Sequence, residues 1–154
     1  MKVIGVDPGL SGALVALEQN RIVGCVDMPV VEAVVNGKKR RRIDPHGLCH
    51  AIVEFGPVDI VVLEKAGARP GESAAASHTN GRNFGVIEGI LAAYARPYTL
   101  VTPQQWTKAM RVGSDKGNHR LEAMRLFPDQ SHLFSRVKDD GRADAALLAA
   151  WWAA

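Results

Sequence analysis

With 154 residues, 47% hydrophobic and 23% charged, the chain has the make-up of a globular protein with a sizeable core, and a single domain over 1–154 is expected. No apolar stretch reaches membrane-spanning length, and the first apolar run begins at once, so a membrane helix and a secretory leader are both excluded as expectations. The net charge of +3 and pI of about 9.1 favour an anionic partner, nucleic acid first.

In chain order, residues 2–7 read as a strand, and PGLSG as a turn. Residues 12–18 and 21–28 give two further strands of an antiparallel meander. The segment 29–43 reads as a polar loop holding the basic run Lys38, Lys39, Arg40, Arg41 and Arg42. Asp44 and Pro45 start a helix that ends near Phe55, before Gly56-Pro57. Residues 59–64 are continuously apolar up to Glu64, which suits a central parallel strand. A Gly/Ala/Ser-rich loop is expected over 66–79 and a helix over 81–95, where Phe84, Ile87, Leu91 and Tyr94 keep helical spacing. A short strand over 96–102 precedes a helix opened by Pro103. Another helix runs from Asp115 to before Pro128, residues 129–138 are irregular, and a last helix covers 140–153. The order β-β-β-α-β-α-β-α-α-α matches the α/β ribonuclease H-like fold, a mixed five-stranded sheet flanked by helices. By that analogy the first strand and the strand at 59–64 are parallel neighbours, with Asp7 and Glu64 at one carboxyl edge.

Four acids sit where charge is costly unless paired. Asp7 and Glu64 end apolar strands. Asp140 and Asp144, four apart in KDDGRADAALLAAWW, share one helix face. Such an all-oxygen set suits Mg²⁺ or Mn²⁺. Cys25 and Cys49 lack metal spacing and read as buried thiols of a reducing compartment.

Three of these segments carry a resemblance. GVDPGLSGA, VVLEKAGARPG and DDGRADAALLAAW resemble the three acidic motifs of RuvC-type Holliday-junction resolvases, and VTPQQWTKAM and DKGNHRLEAMRLFP resemble the phage branch. The spacing of four between Asp140 and Asp144 resembles phage and chloroplast resolvases. Bacterial RuvC has an acid or histidine three before the final aspartate, where this chain has Gly141, so the carry-over is to Asp140, with Asp139 as the alternative and more naturally the helix cap. The resemblance implies a metal-dependent endonuclease that resolves four-way DNA junctions by paired nicks. Its carboxylates would be Asp7, Glu64, Asp140 and Asp144, serving two Mg²⁺ ions per site with Mn²⁺ as a substitute. It further implies 5′-phosphate and 3′-hydroxyl ends and the cytoplasm of a bacterial or phage-infected cell.

Lys38 to Arg42, Lys65 and Lys116 are the candidate DNA contacts. The five histidines share no ligand spacing and read as ordinary surface or cap residues. Phe84, Trp106, Trp151 and Trp152 read as core. A homodimer is expected, because resolution needs two nicks and one domain has one site. Gly81, Gly85, Gly89 and Ala93 form a small-residue ridge that serves either a dimer interface or packing within the domain. The rival readings are a ribonuclease H-like nuclease for RNA–DNA hybrids, a non-catalytic junction-binding module, and an actin-like phosphotransferase, which needs two such domains.

Overall fold

The computed structural model describes residues 1–67 and 70–154. The strands are β1 (Lys2–Val6), β2 (Ala13–Glu18), β3 (Arg21–Asp27), β4 (Val30–Val35), β5 (Lys38–Ile43), β6 (Ile60–Glu64) and β7 (Tyr98–Val101). The helices are α1 (Pro45–Glu54), α2 (Ala74–Ala93), α3 (Pro103–Met110), α4 (Lys116–Leu126) and α5 (Asp140–Ala153). Five strands form one mixed sheet in the order β3-β2-β1-β6-β7, and β4 and β5 form a separate two-stranded ribbon. β1 pairs antiparallel with β2 and parallel with β6, as the ribonuclease H-like order requires.

The pleat sorts the strand residues onto two faces. Val3 and Val62 join the core formed with α5 through Ala145, Ala146 and Ala149. Ile4, Val6, Val61 and Leu63 join the opposite core, with Leu48 and Ile52 of α1 and Ile87 and Leu91 of α2. α5 lies directly on β1, and a Cβ at Gly5 would overlap the Ala145 carbonyl oxygen. Alanines on the helix and a glycine on the strand therefore set the closeness of this packing.

Two expectations need correction. Residues 30–43 are not a loop, because β4 and β5 pair from Val30↔Ile43 to Val35↔Lys38. Asn36 and Gly37 turn the chain with φ of 50° and 72°, the left-handed pair that a tight hairpin needs. The loop expected over 66–79 is too long, since α2 begins at Ala74; residues 68 and 69 of that segment lie outside the described residues. Ser73 caps α2, its hydroxyl accepting the Ala76 N–H at 3.2 Å, and the alanines that follow are strong helix formers. Smaller differences are a four-residue β7 and two 3₁₀ turns, Pro128–Phe134 and Val137–Asp139, where irregular chain was expected. Trp106 is core as expected, but Trp152 is 39% exposed.

Candidate active site

The two strand-end acids meet because of register and pleat. Val6 of β1 lies opposite Leu63 of β6, so the next residues, Asp7 and Glu64, leave the sheet side by side. Both fall two residues beyond positions on the α5 face, Gly5 and Val62, and the period of two sends them to that face. Asp7 is fixed at the turn: its N–H donates to Ala13 O at 3.0 Å, and its Oδ1 accepts the Gly9 N–H at 3.0 Å. Asp7 and Glu64 line a cleft of about 480 Å³, with Lys65, Asn80, Thr102 and Gln104 among its walls.

Asp144 comes from α5. It is 2% exposed, inside the helix, and shielded by the packing of α5 on the sheet. Its Oδ2 pairs with the Lys116 ammonium, and its Oδ1 lies 2.6 Å from His119 Nδ1. Burial pushes the Glu64 carboxyl up to about 7. The Trp106 indole N–H, bonded at 2.7 Å, opposes this, while the charges of Asp7 and Asp144 add to it. Burial pulls Lys116 down, but its bond to Asp144 and the charges of Asp144, Asp7 and Glu64 outweigh it and leave the amine above its ordinary value. Asp7, Glu64, Asp144 and Lys116 thus share one electrostatic cluster.

Asp140 stands one turn earlier on α5, paired with Arg120. Asp139 is engaged otherwise. It is buried, accepts the Arg136 N–H at 2.9 Å, and pairs with the Arg136 and Arg142 guanidiniums. It occupies the N-cap position of α5, but its side chain makes no cap bond. Arg142 also grips Asp27 with two bonds, of 2.6 and 2.8 Å, tying the first turn of α5 to the end of β3. Gly141 has a steric reason to be glycine, since a Cβ there would overlap the Ser11 carbonyl oxygen.

The donor set fits a hard divalent cation by its chemistry: carboxylate oxygens, one of them held toward its protonated form first by burial and then by the neighbouring negative charges. The cage is not drawn together as the side chains lie. Among the described residues no three of His, Cys, Asp or Glu are placed to hold one ion, and Lys116 and Arg120 engage Asp144 and Asp140 instead.

The whole architecture has a close match. Over 99% of the chain and 94% of its counterpart, it superposes on T. thermophilus RuvC solved in complex with a Holliday junction substrate, with a TM-score of 0.66 at 14% identity. The chain has the RuvC fold. The fowlpox virus Holliday junction resolvase superposes over 99% of this chain and 96% of its own, with a TM-score of 0.52 at 13% identity. In sequence, the chain is 26% identical over 121 residues to the chloroplast Holliday junction resolvase MOC1 of Chlamydomonas reinhardtii. That match covers 77% of this chain but only 13% of the much longer algal protein. No protein-family model matches the chain.

Lys65 is exposed on the cleft wall, and Lys116 opens α4 beside Asp144. Lys38 to Arg42 lie along β5 of the ribbon, all exposed but Arg42, which is half-buried. The ribbon leaves the sheet next to the acids: Met28 N–H donates to Gly12 O at 2.9 Å, and Asp44 N–H closes the ribbon on Pro29 O at 2.9 Å. No helix among the described residues is long and apolar enough to cross a membrane. Sequence reasoning passed over His119, which is 2% exposed and bonded to Asp144. Its only sequence signal is its place three residues after Lys116, on the same face of α4.

Proposed function

We propose that this chain is a metal-dependent endonuclease that resolves four-way DNA junctions. The observation that carries the reading is that Asp7 and Glu64 end adjacent strands of a RuvC-fold sheet and share one electrostatic cluster with Asp144 of α5, where burial and then mutual repulsion push Glu64 up to about 7. Asp7, Glu64, Asp144 and Asp140 are the residues that would hold two Mg²⁺ ions, with Mn²⁺ able to substitute. Such a pair supplies Lewis acidity for the attacking water and neutralises charge on the phosphodiester. The chain supplies placement. The pleat and register fix Asp7 against Glu64, the packing of α5 fixes Asp144, and the burial of Asp144 strengthens the field of its carboxylate.

Lys116 brings a cation to the cluster and would hold the scissile phosphate, with Lys65 at the cleft wall. The basic ribbon would hold backbone phosphates of an arm. The protein would act as a homodimer through α2. Among the described residues a Cβ at Gly81, Gly85 or Gly89 meets nothing within 4 Å, which leaves room for a second copy against this ridge. The direct test incubates an end-labelled four-way junction and an RNA–DNA hybrid duplex with the protein in Mg²⁺ or in chelator. Cutting of the junction in Mg²⁺ alone is expected; cutting of the hybrid with the junction left intact would replace this reading with the ribonuclease H activity.

A further inference from the structure

Two buried rings in the site carry no negative charge, yet each holds a carboxylate. Trp106, 1% exposed, donates its indole N–H to Glu64 Oε2 at 2.7 Å. His119, 2% exposed, places Nδ1 at 2.6 Å from Asp144 Oδ1. The rings touch edge to face, with centroids 5.2 Å apart and planes at 67°. On its far side His119 Nε2 lies 3.0 Å from the Gly113 carbonyl. A carbonyl only accepts, so Nε2 carries a hydrogen and anchors the ring. A continuous path therefore runs from the Gly113 backbone through His119 to Asp144, and across the ring contact through Trp106 to Glu64.

Core filling alone does not account for this pair. Apolar rings would fill the space as well, without the cost of a buried polar group that lacks a partner. With a hydrogen on each ring nitrogen, Nδ1 donating to Asp144 and Nε2 to Gly113, His119 is satisfied as Trp106 is, and the two rings hold acids on different elements, β6 and α5. One oxygen of each acid is thereby committed to a ring. Asp144 Oδ2 is left to face the Lys116 ammonium, a cation already in the cluster.

We propose that Trp106 and His119 are positioning residues: a strut that fixes the separation and orientation of Glu64 and Asp144 for cation binding. The inference rests on reading those acids as cation ligands. Hydrogen-bonded partners behind a ligand typically change metal affinity or activity by about 10- to 100-fold when removed. A strut between two ligands belongs in that range.

Two amides at position 119 separate the roles of the ring. Asparagine puts an amide nitrogen near the place of Nδ1 and can keep the bond to Asp144. Glutamine reaches the place of Nε2 and keeps only the Gly113 side. Trp106→Phe keeps a ring and removes the donor to Glu64. Mn²⁺ binding to each variant, read by electron paramagnetic resonance of the free ion without DNA, is compared with single-turnover cleavage and with thermal melting as a check on folding. His119→Gln and Trp106→Phe are expected to melt cooperatively and bind Mn²⁺ about tenfold or more weakly. His119→Asn is expected to recover most of the affinity. Equal loss in the asparagine and glutamine variants, or parental Mn²⁺ binding in His119→Gln and Trp106→Phe, overturns the strut. Should the histidine variants not fold, Trp106→Phe alone decides between these outcomes. Absence of Mn²⁺ binding by the unsubstituted protein overturns the cation reading and the strut with it.

Discussion

Asp7, Glu64 and Asp144 each sit where local structure leaves little freedom, so removing one charge while keeping the volume isolates its role. Asp7→Asn, Glu64→Gln and Asp144→Asn should each lower Mg²⁺-dependent cleavage of a four-way junction by at least about 10³-fold while junction affinity in chelator holds. A variant that cuts at the parental rate removes its residue from the ligand set. Glu64 also makes a prediction about stability. Without metal, the folded protein keeps the Glu64 proton up to about pH 7, whereas an ordinary glutamate loses it near 4.5. Between those values the folded state binds more protons than the unfolded one, so stability falls as pH rises, and the decline is complete above about 7. Glu64→Gln should therefore match the parent near pH 4 in chelator and exceed it by on the order of 2 kcal/mol near pH 8. Denaturant melts at the two pH values check this; equal stability at the higher pH contradicts it. These three acids were legible in the sequence because strand period and helix pitch put them there. His119 was not, because its bond to Asp144 depends on how α4 lies against α5, and its place three residues after Lys116 does not by itself show that bond. The pairings of Arg136 and Arg142 with Asp139, and of Arg120 with Asp140, were likewise hidden, since they depend on the turn before α5 and on how α4 lies against it.

Among the elements, the β4–β5 ribbon departs furthest from its sequence reading. Five consecutive basic residues obscured a strand whose partner, VVEAVV, and whose Asn-Gly turn were both visible. The start of α2 was obscured in a similar way, by reading alanines and serines as loop when Ser73 caps a helix. The elements that build the site were legible, since β1, β6 and α5 are apolar runs with few alternatives. As a ribbon, the basic run offers a stiff row of charges rooted beside the acids, with Lys39 also paired to Glu32 at 3.5 Å. Replacing Lys38 to Arg42 with glutamine or serine should weaken binding to all DNA sequences alike. It should also flatten the slope of log affinity against log salt by about 0.9 for each phosphate the protein no longer neutralises. An unchanged slope would show that the ribbon does not touch DNA.

At the scale of the whole molecule, one chain presents one acid cluster, and a junction needs two opposed cuts. The unfilled glycine ridge of α2 is the surface that would join two copies, while Ile87 and Leu91 of the same helix are buried in the chain's own core. Gly85→Leu combined with Gly89→Leu should yield a folded monomer that makes single nicks, as read by sedimentation and by product analysis. A parent that stays monomeric at micromolar concentration with junction bound would rule out the dimer. The most direct test of the account uses a supercoiled plasmid that extrudes a cruciform. In Mg²⁺ the protein should convert it to the linear form by paired cuts at the cruciform, with no product in chelator and none from Asp144→Asn. No Mg²⁺-dependent cutting at the cruciform, or equal cutting by Asp144→Asn, would contradict it.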